Sequence, residues 1–86
     1  MNRSLGELCL RVHSLSLVSP ELRNECIDIA RKKSPSAAFD LATFAARKCG
    51  ISGMQALAVA KATRWLSVIR RDHGEKVFEE AARTLA

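Results

Sequence analysis

The sequence predicts an all-α fold, a compact bundle of four to five helices forming a single helical domain over residues 1–86. Apolar residues recur three and four positions apart through most of the chain, the spacing of one helix face. Val and Ile are scattered rather than set in alternating runs, so no stretch reads as a half-buried strand. Two "SP" pairs and the segment "CGIS" supply helix starts and stops at regular intervals. A chain of 86 residues suits one domain, which at this size buries roughly 60–65% of its extended surface. The aromatic residues are Phe39, Phe44, Trp65 and Phe78, so the core has to be assembled from Ala, Leu, Val and Ile. Ala-rich faces let helices approach closely.

The first helix is expected from Ser4 to about Val18, with a stripe of Leu5, Leu8, Cys9, Val12 and Leu15. Leu10 and Leu17 fall outside that stripe and widen it, which predicts a second contact surface. "SPEL" at Ser19 then starts the second helix. Its serine accepts an otherwise unpaired backbone N–H, its proline needs no donor at the first position, and its glutamate meets the positive end of the helix dipole. Leu22, Cys26, Ile29 and Ala30 form the expected inner side, and Asp28 is placed to pair with Lys32 one turn on.

"SPSA" at Ser34 repeats the signal, and the third helix is expected to run to about Cys49 with Ala38, Leu41, Ala42, Phe44 and Ala45 inward. Gly50 follows as the residue that takes the left-handed conformation ending many helices. Ser52 is the expected cap of the longest helix, which continues to about Asp72 with Met54, Ala58, Ala62, Trp65, Leu66 and Ile69 on its apolar face. That helix is expected at the centre of the bundle. His73 and Gly74 break the pattern, as a kink or as a gap between two helices. Phe78, Ala81, Ala82 and Leu85 then give the last apolar stripe, with Glu75, Glu79 and Arg83 on its wet side.

Fourteen Lys and Arg against nine Asp and Glu leave a formal charge of +5, which attracts phosphate and acidic protein surfaces. Several of these cations close predicted helices, where they complement the negative dipole end. Cys9, Cys26 and Cys49 are widely spaced and form no CxxC pair, which reads as reduced thiols in a cytoplasmic protein. No apolar run is long enough to predict a signal peptide or a membrane span.

Within "AARKCGIS", the small Ala46 four residues before Gly50, the aliphatic Ile51 and the serine Ser52 resemble the turn of helix-turn-helix families. The resemblance covers about twenty residues, Ala42 to Lys61. It implies a helix whose outward residues Ser52, Gly53, Met54, Leu57, Ala58 and Lys61 face DNA. Base edges are read mainly by Arg, Lys, Asn and Gln, and of these positions only Ser52 and Lys61 offer such chemistry. The resemblance would also bury Ala56 and Val59, whereas the apolar moment of the whole helix centres near Ala58, Trp65 and Ile69. The expectation is therefore a helix facing elsewhere, with a basic stripe of Lys61, Arg64 and Arg71 for phosphate or an acidic partner.

Cys9 and His13 lie one helical turn apart, but two ligands do not close a metal site, so no metal and no cofactor are predicted. The same pair lacks the orienting acid and oxyanion loop that a thiol nucleophile needs. "DHGE" from Asp72 brings acid and base types together at a helix break, where such residues are common for backbone reasons. These observations predict a non-catalytic regulatory, adaptor or inhibitor module. Its partner would be another protein with an acidic surface, or a second copy of itself, through the basic stripe or the Leu10 and Leu17 side. A nucleic-acid-binding regulator is the alternative, and no membrane association is predicted.

Overall fold

The structure, a computed structural model, describes residues 4–85. The helices are α1 (Leu5–Arg11), α2 (Pro20–Lys32), α3 (Pro35–Lys48), α4 (Gly53–His73) and α5 (Glu75–Leu85), with a 3₁₀ turn (His13–Leu17) after α1. Among the described residues no strand interrupts them, so the predicted all-α bundle is the fold. A radius of gyration of 11.4 Å is close to the ~12 Å expected for a folded chain of this length.

The first segment is not one continuous helix. After Arg11 the chain tightens to three residues per turn, which eclipses residues three apart. That period brings Val12 and Leu15 into the core and Val18 against it, while Leu17 is thrown outward. Ser16 supports the change by donating its hydroxyl to the His13 carbonyl at 2.7 Å, competition of the kind that weakens a continuing helix. Arg23 of α2 then donates to the Leu15 and Val18 carbonyls at 3.1 and 3.3 Å. Of the expected stripe, Leu8, Val12 and Leu15 are buried, whereas Leu5 and Cys9 are exposed.

Both "SP" starts form as the sequence implies: Ser19 Oγ accepts from Leu22 N and Ser34 Oγ from Ala37 N, with proline opening each helix. In α2, Leu22, Cys26, Ile27 and Ala30 are buried and Ile29 is half-buried. Asp28 does not pair with Lys32. It meets Arg31, three residues on, and Arg31 also forks onto Glu79 of α5 at 2.8 and 2.9 Å. Arg31 reaches both carboxylates because it points toward α5, and its guanidinium lies 5.6 Å from the centre of the Phe78 ring.

This bridge has a pH consequence. The hydrogen bonds from Arg31 hold the Glu79 carboxyl below its usual range, and those from Arg71 do the same for Asp72. A carboxyl whose folded pKa is depressed stabilises the fold above its unfolded pKa, and that contribution is lost as pH falls through the folded value. Thermal stability is therefore expected to decline below about pH 4. In Glu79→Gln the same melting series should show a shallower decline; an identical slope would mean the bridge contributes nothing.

The α3–α4 pairing is the most extensive in the molecule. From α3, Ala38, Ala42, Ala45 and Ala46 are buried, and from α4, Ala56, Val59, Ala60, Ala62 and Thr63. The corner between the helices closes on Gly50, at φ +81°. Gly50 N–H donates to the Arg47 carbonyl and Ile51 N–H to the Ala46 carbonyl, both at 3.0 Å, the reciprocal pair that satisfies carbonyls at a helix end. Ser52 occupies the N-cap position of α4 with extended backbone, but its side chain makes no cap hydrogen bond.

Two α3 residues expected inward are outward. Leu41 is 40% and Phe44 62% exposed, because the small alanines occupy the arc that meets α4 and leave the bulky pair on the flank. In α4 the expected face also shifts. Met54 is exposed, and Ala58 and Trp65 are half-buried, while Ala56 and Val59 are buried. The bulky residues of the C-terminal half pull the average moment toward themselves, yet the N-terminal half is oriented by its alanine contact with α3.

α4 touches every other element, as expected of the central helix. It also terminates α2. Ser67 Oγ donates to the Lys33 carbonyl at 2.7 Å, and Arg70 donates to the Ala30 and Lys33 carbonyls at 3.0 Å each. The exposed carbonyls at the end of α2 are thus satisfied from a neighbouring helix rather than by its own basic residues. Gly74, at φ +92°, separates α4 from α5 as two helices. Phe78, Ala81, Ala82 and Leu85 then close the core.

Candidate docking surface

The outward side of the α3–α4 corner carries the surface of most interest. Successive α4 residues turn by about 100°, so with Ala56 and Val59 against α3, the residues Met54, Leu57 and Lys61 lie opposite. Met54 is 80% exposed, Leu57 is 36% exposed and Lys61 is exposed. Lys61 forms no ion pair among the described residues. The register of this corner is thus the one implied by the helix-turn-helix resemblance, not the rotated one that the averaged moment predicts.

The predicted stripe of Lys61, Arg64 and Arg71 is divided by what each cation touches. Arg64 is half-buried, with its guanidinium 5.4 Å from the Phe39 ring centre and 5.1 Å from that of Trp65. A guanidinium so placed is held by the ring faces and contributes local rigidity. Arg71 is spread over Asp72, at 2.9 and 3.3 Å. Only Lys61 presents its charge outward without such a neighbour. Leu10 and Leu17 are 79% and 77% exposed, as their position outside the first stripe implies.

Among the described residues no group of three His, Cys, Asp or Glu is placed to hold a metal ion. Asp72 spends its carboxylate on Arg71, and the buried Nε2 of His73 has no hydrogen-bond partner, so "DHGE" does not join acid to base. Cys26 is buried, and burial pushes its thiol pKa up, the opposite of an activated nucleophile. Cys9 and Cys49 are exposed.

Two recesses lie away from the corner. One, of about 390 Å³ between α2 and α5, is lined by Asn24, Asp28, Arg31, Glu79 and Arg83 with Ile27 and Ala82; its charges include the Arg31 network already described. The other, of about 190 Å³ between α1 and α5, is bounded by Leu5, Cys9, Val77, Glu80, Ala81 and Thr84. In the first, Asp28 and Glu79 are both paired with Arg31. No helix among the described residues is long and apolar enough to cross a membrane.

Sequence reasoning did not identify Phe39, Trp65 or Phe44 as surface features. The signal was present in α3, where Ala38, Ala42, Ala45 and Ala46 already form a complete inner arc and leave no room for Leu41 and Phe44 beside it. Comparison with protein-family models, with curated proteins and with solved structures gives no match, so the fold and the geometry of this corner are what bear on function.

Proposed function

We propose that the protein acts by binding another protein, through the outward face of the first half of α4. The observation that carries this reading is the exposure of Met54, with Leu57 beside it, on the side of α4 turned away from its buried Ala56 and Val59. Met suits an adaptable contact because its side chain is unbranched and polarisable. Lys61 sets a positive charge at the edge of that apolar patch, so the complementary surface is apolar with an acidic rim. A photo-crosslinking residue placed at Met54 in the native cell is expected to give a discrete protein adduct. The adduct should be lost with Lys61→Glu and absent when the crosslinker stands at the exposed Ser36 instead. No adduct at Met54, or equal adducts from both positions, defeats the reading.

One observation favours the alternative of duplex nucleic acid. Ala45, Ala46, Ala56 and Val59 are buried around the Gly50 corner, which is the packing a helix-turn-helix requires, and the net charge is positive. Against it stands the outward chemistry, apolar where base readers carry amides or cations. Anisotropy of labelled duplex DNA at two salt concentrations separates the readings, because phosphate contacts make affinity fall steeply with salt. On the protein-docking reading no salt-sensitive complex forms.

A further inference from the structure

We propose that the outer flank of α3 is a homodimer interface, in which two copies of the chain pack α3 antiparallel about a two-fold axis at Phe44, with Asp40 of each copy against Lys48 of the other. The residues on this flank are well defined by the burial of α3. Setting Ala38 at zero on a wheel of about 100° per residue, the buried Ala42 and Ala45 lie within about 40° of it. Ala37, Leu41, Phe44 and Lys48 fall between about 240° and 300°, and Asp40 at about 200°. Phe39, which meets Arg64, is at about 100°, on the opposite flank.

Exposure marks the flank as unfinished. Phe44 is 62% and Leu41 40% exposed in the interior of a long helix. Charge then selects the occupant. Asp40 stands four residues before Phe44 and Lys48 four after it. A two-fold axis at Phe44 with antiparallel helices maps Phe44 onto itself and Asp40 onto Lys48, so a single copy carries both halves of two identical ion pairs. This self-complementarity is the defining property of a two-fold interface; an unrelated partner would have no need of it.

The local contacts leave both charges available. Asp40 pairs with no cation among the described residues. Lys48 Nζ lies 3.9 Å from Glu25 Oε2, at the outer limit of an ion pair, with both side chains about half exposed at 56% and 46%. Its ammonium group sits 5.2 Å from the Phe44 ring centre. In the dimer Lys48 would bridge its own Glu25 and the partner's carboxylate at Asp40. The two Phe44 rings meet on the axis, and Leu41 covers the methylenes of Lys48 from the other copy.

The interface lies on the flank of α3 away from the α4 docking face and leaves that face open in both copies. Its failure and the failure of the docking reading are therefore separate results. Sedimentation equilibrium under reducing conditions, which keep the exposed Cys49 from forming a disulfide, is the test. The wild-type chain is expected to be a dimer in the micromolar range. Phe44→Ser, Asp40→Lys and Lys48→Asp should each weaken dimerisation about ten-fold or more, with helical circular dichroism unchanged. An equimolar mixture of Asp40→Lys and Lys48→Asp should recover the dimer, because both cross-pairs then join opposite charges. A monomeric wild type, a dimer indifferent to Phe44→Ser, or helical charge variants that fail to pair when mixed would each overturn the proposal. If a charge variant loses its helicity, Phe44→Ser alone decides.

Discussion

Phe78→Ala is expected to cost about 3–5 kcal/mol of stability, the range for removing a buried aromatic ring from a core. Phe78 is the largest of the completely buried side chains. It stands in the same apolar cluster as Leu8, Leu15, Leu22, Leu66 and Ile69. Truncation would open a cavity where helices from both ends of the chain meet, and helix backbones relax poorly into such space. For a domain of this size each kcal/mol moves the melting temperature by roughly 4–8 °C, so the midpoint should fall by tens of degrees. Leu10→Ala, at a side chain 79% exposed, is the matched control and should stay within about 0.5 kcal/mol. Equal melting temperatures for the two variants would contradict the packing described above.

Ala46→Leu tests the opposite failure, overfilling. Ala46 is completely buried and its carbonyl accepts the Ile51 N–H that closes the corner. Three added carbons have no room at a helix contact made largely of methyl groups. Overpacking of this kind costs typically 1–3 kcal/mol, and here any relief also strains the turn. The expected result is a lower denaturation midpoint in urea together with loss of any binding that depends on the orientation of α4. If the midpoint holds or rises, the two helices are further apart than their burial implies.

Most of the fold was legible because it is written in local signals. The two Ser-Pro starts, the Gly50 stop, the Gly74 break and the stripe ending at Leu85 each depend on residues within one or two turns of one another, and each has its expected backbone. What escaped depends on neighbours distant in sequence. The burial of Ala56 and Val59 is decided by α3, and a moment averaged over the 21 residues of α4 is dominated by large side chains whose environment is set by other elements. Leu41 and Phe44 were misplaced for the same reason: hydrophobicity favours burial, but the alanines beside them determine which arc is in contact. The change to a 3₁₀ turn after Arg11 followed from serine hydroxyl competition, visible in composition only once the geometry is known.

The candidate surface was legible only in part: Lys61 stood in the predicted basic stripe, whereas Met54, expected on the inner face, is exposed. Lys61, Arg64 and Arg71 do share one side of α4, yet stacking and ion pairing remove two of them from the outward charge. Arg70 shows the converse. Its place near a helix end suggests a dipole partner for its own helix, whereas the structure uses it to finish α2.

The chain's one tryptophan stands where these surfaces meet. Trp65 has the Arg11 guanidinium 5.1 Å from its ring centre on α1 and Arg64 at the same distance on α4, and Arg64 in turn meets Phe39. Indole fluorescence responds to nearby charge and to wetting. Excitation of the unmodified protein therefore gives an intrinsic optical reporter, placed to register both the seating of the N-terminal helix and any ligand that disturbs the arginine beside the α4 face, with no label to perturb either.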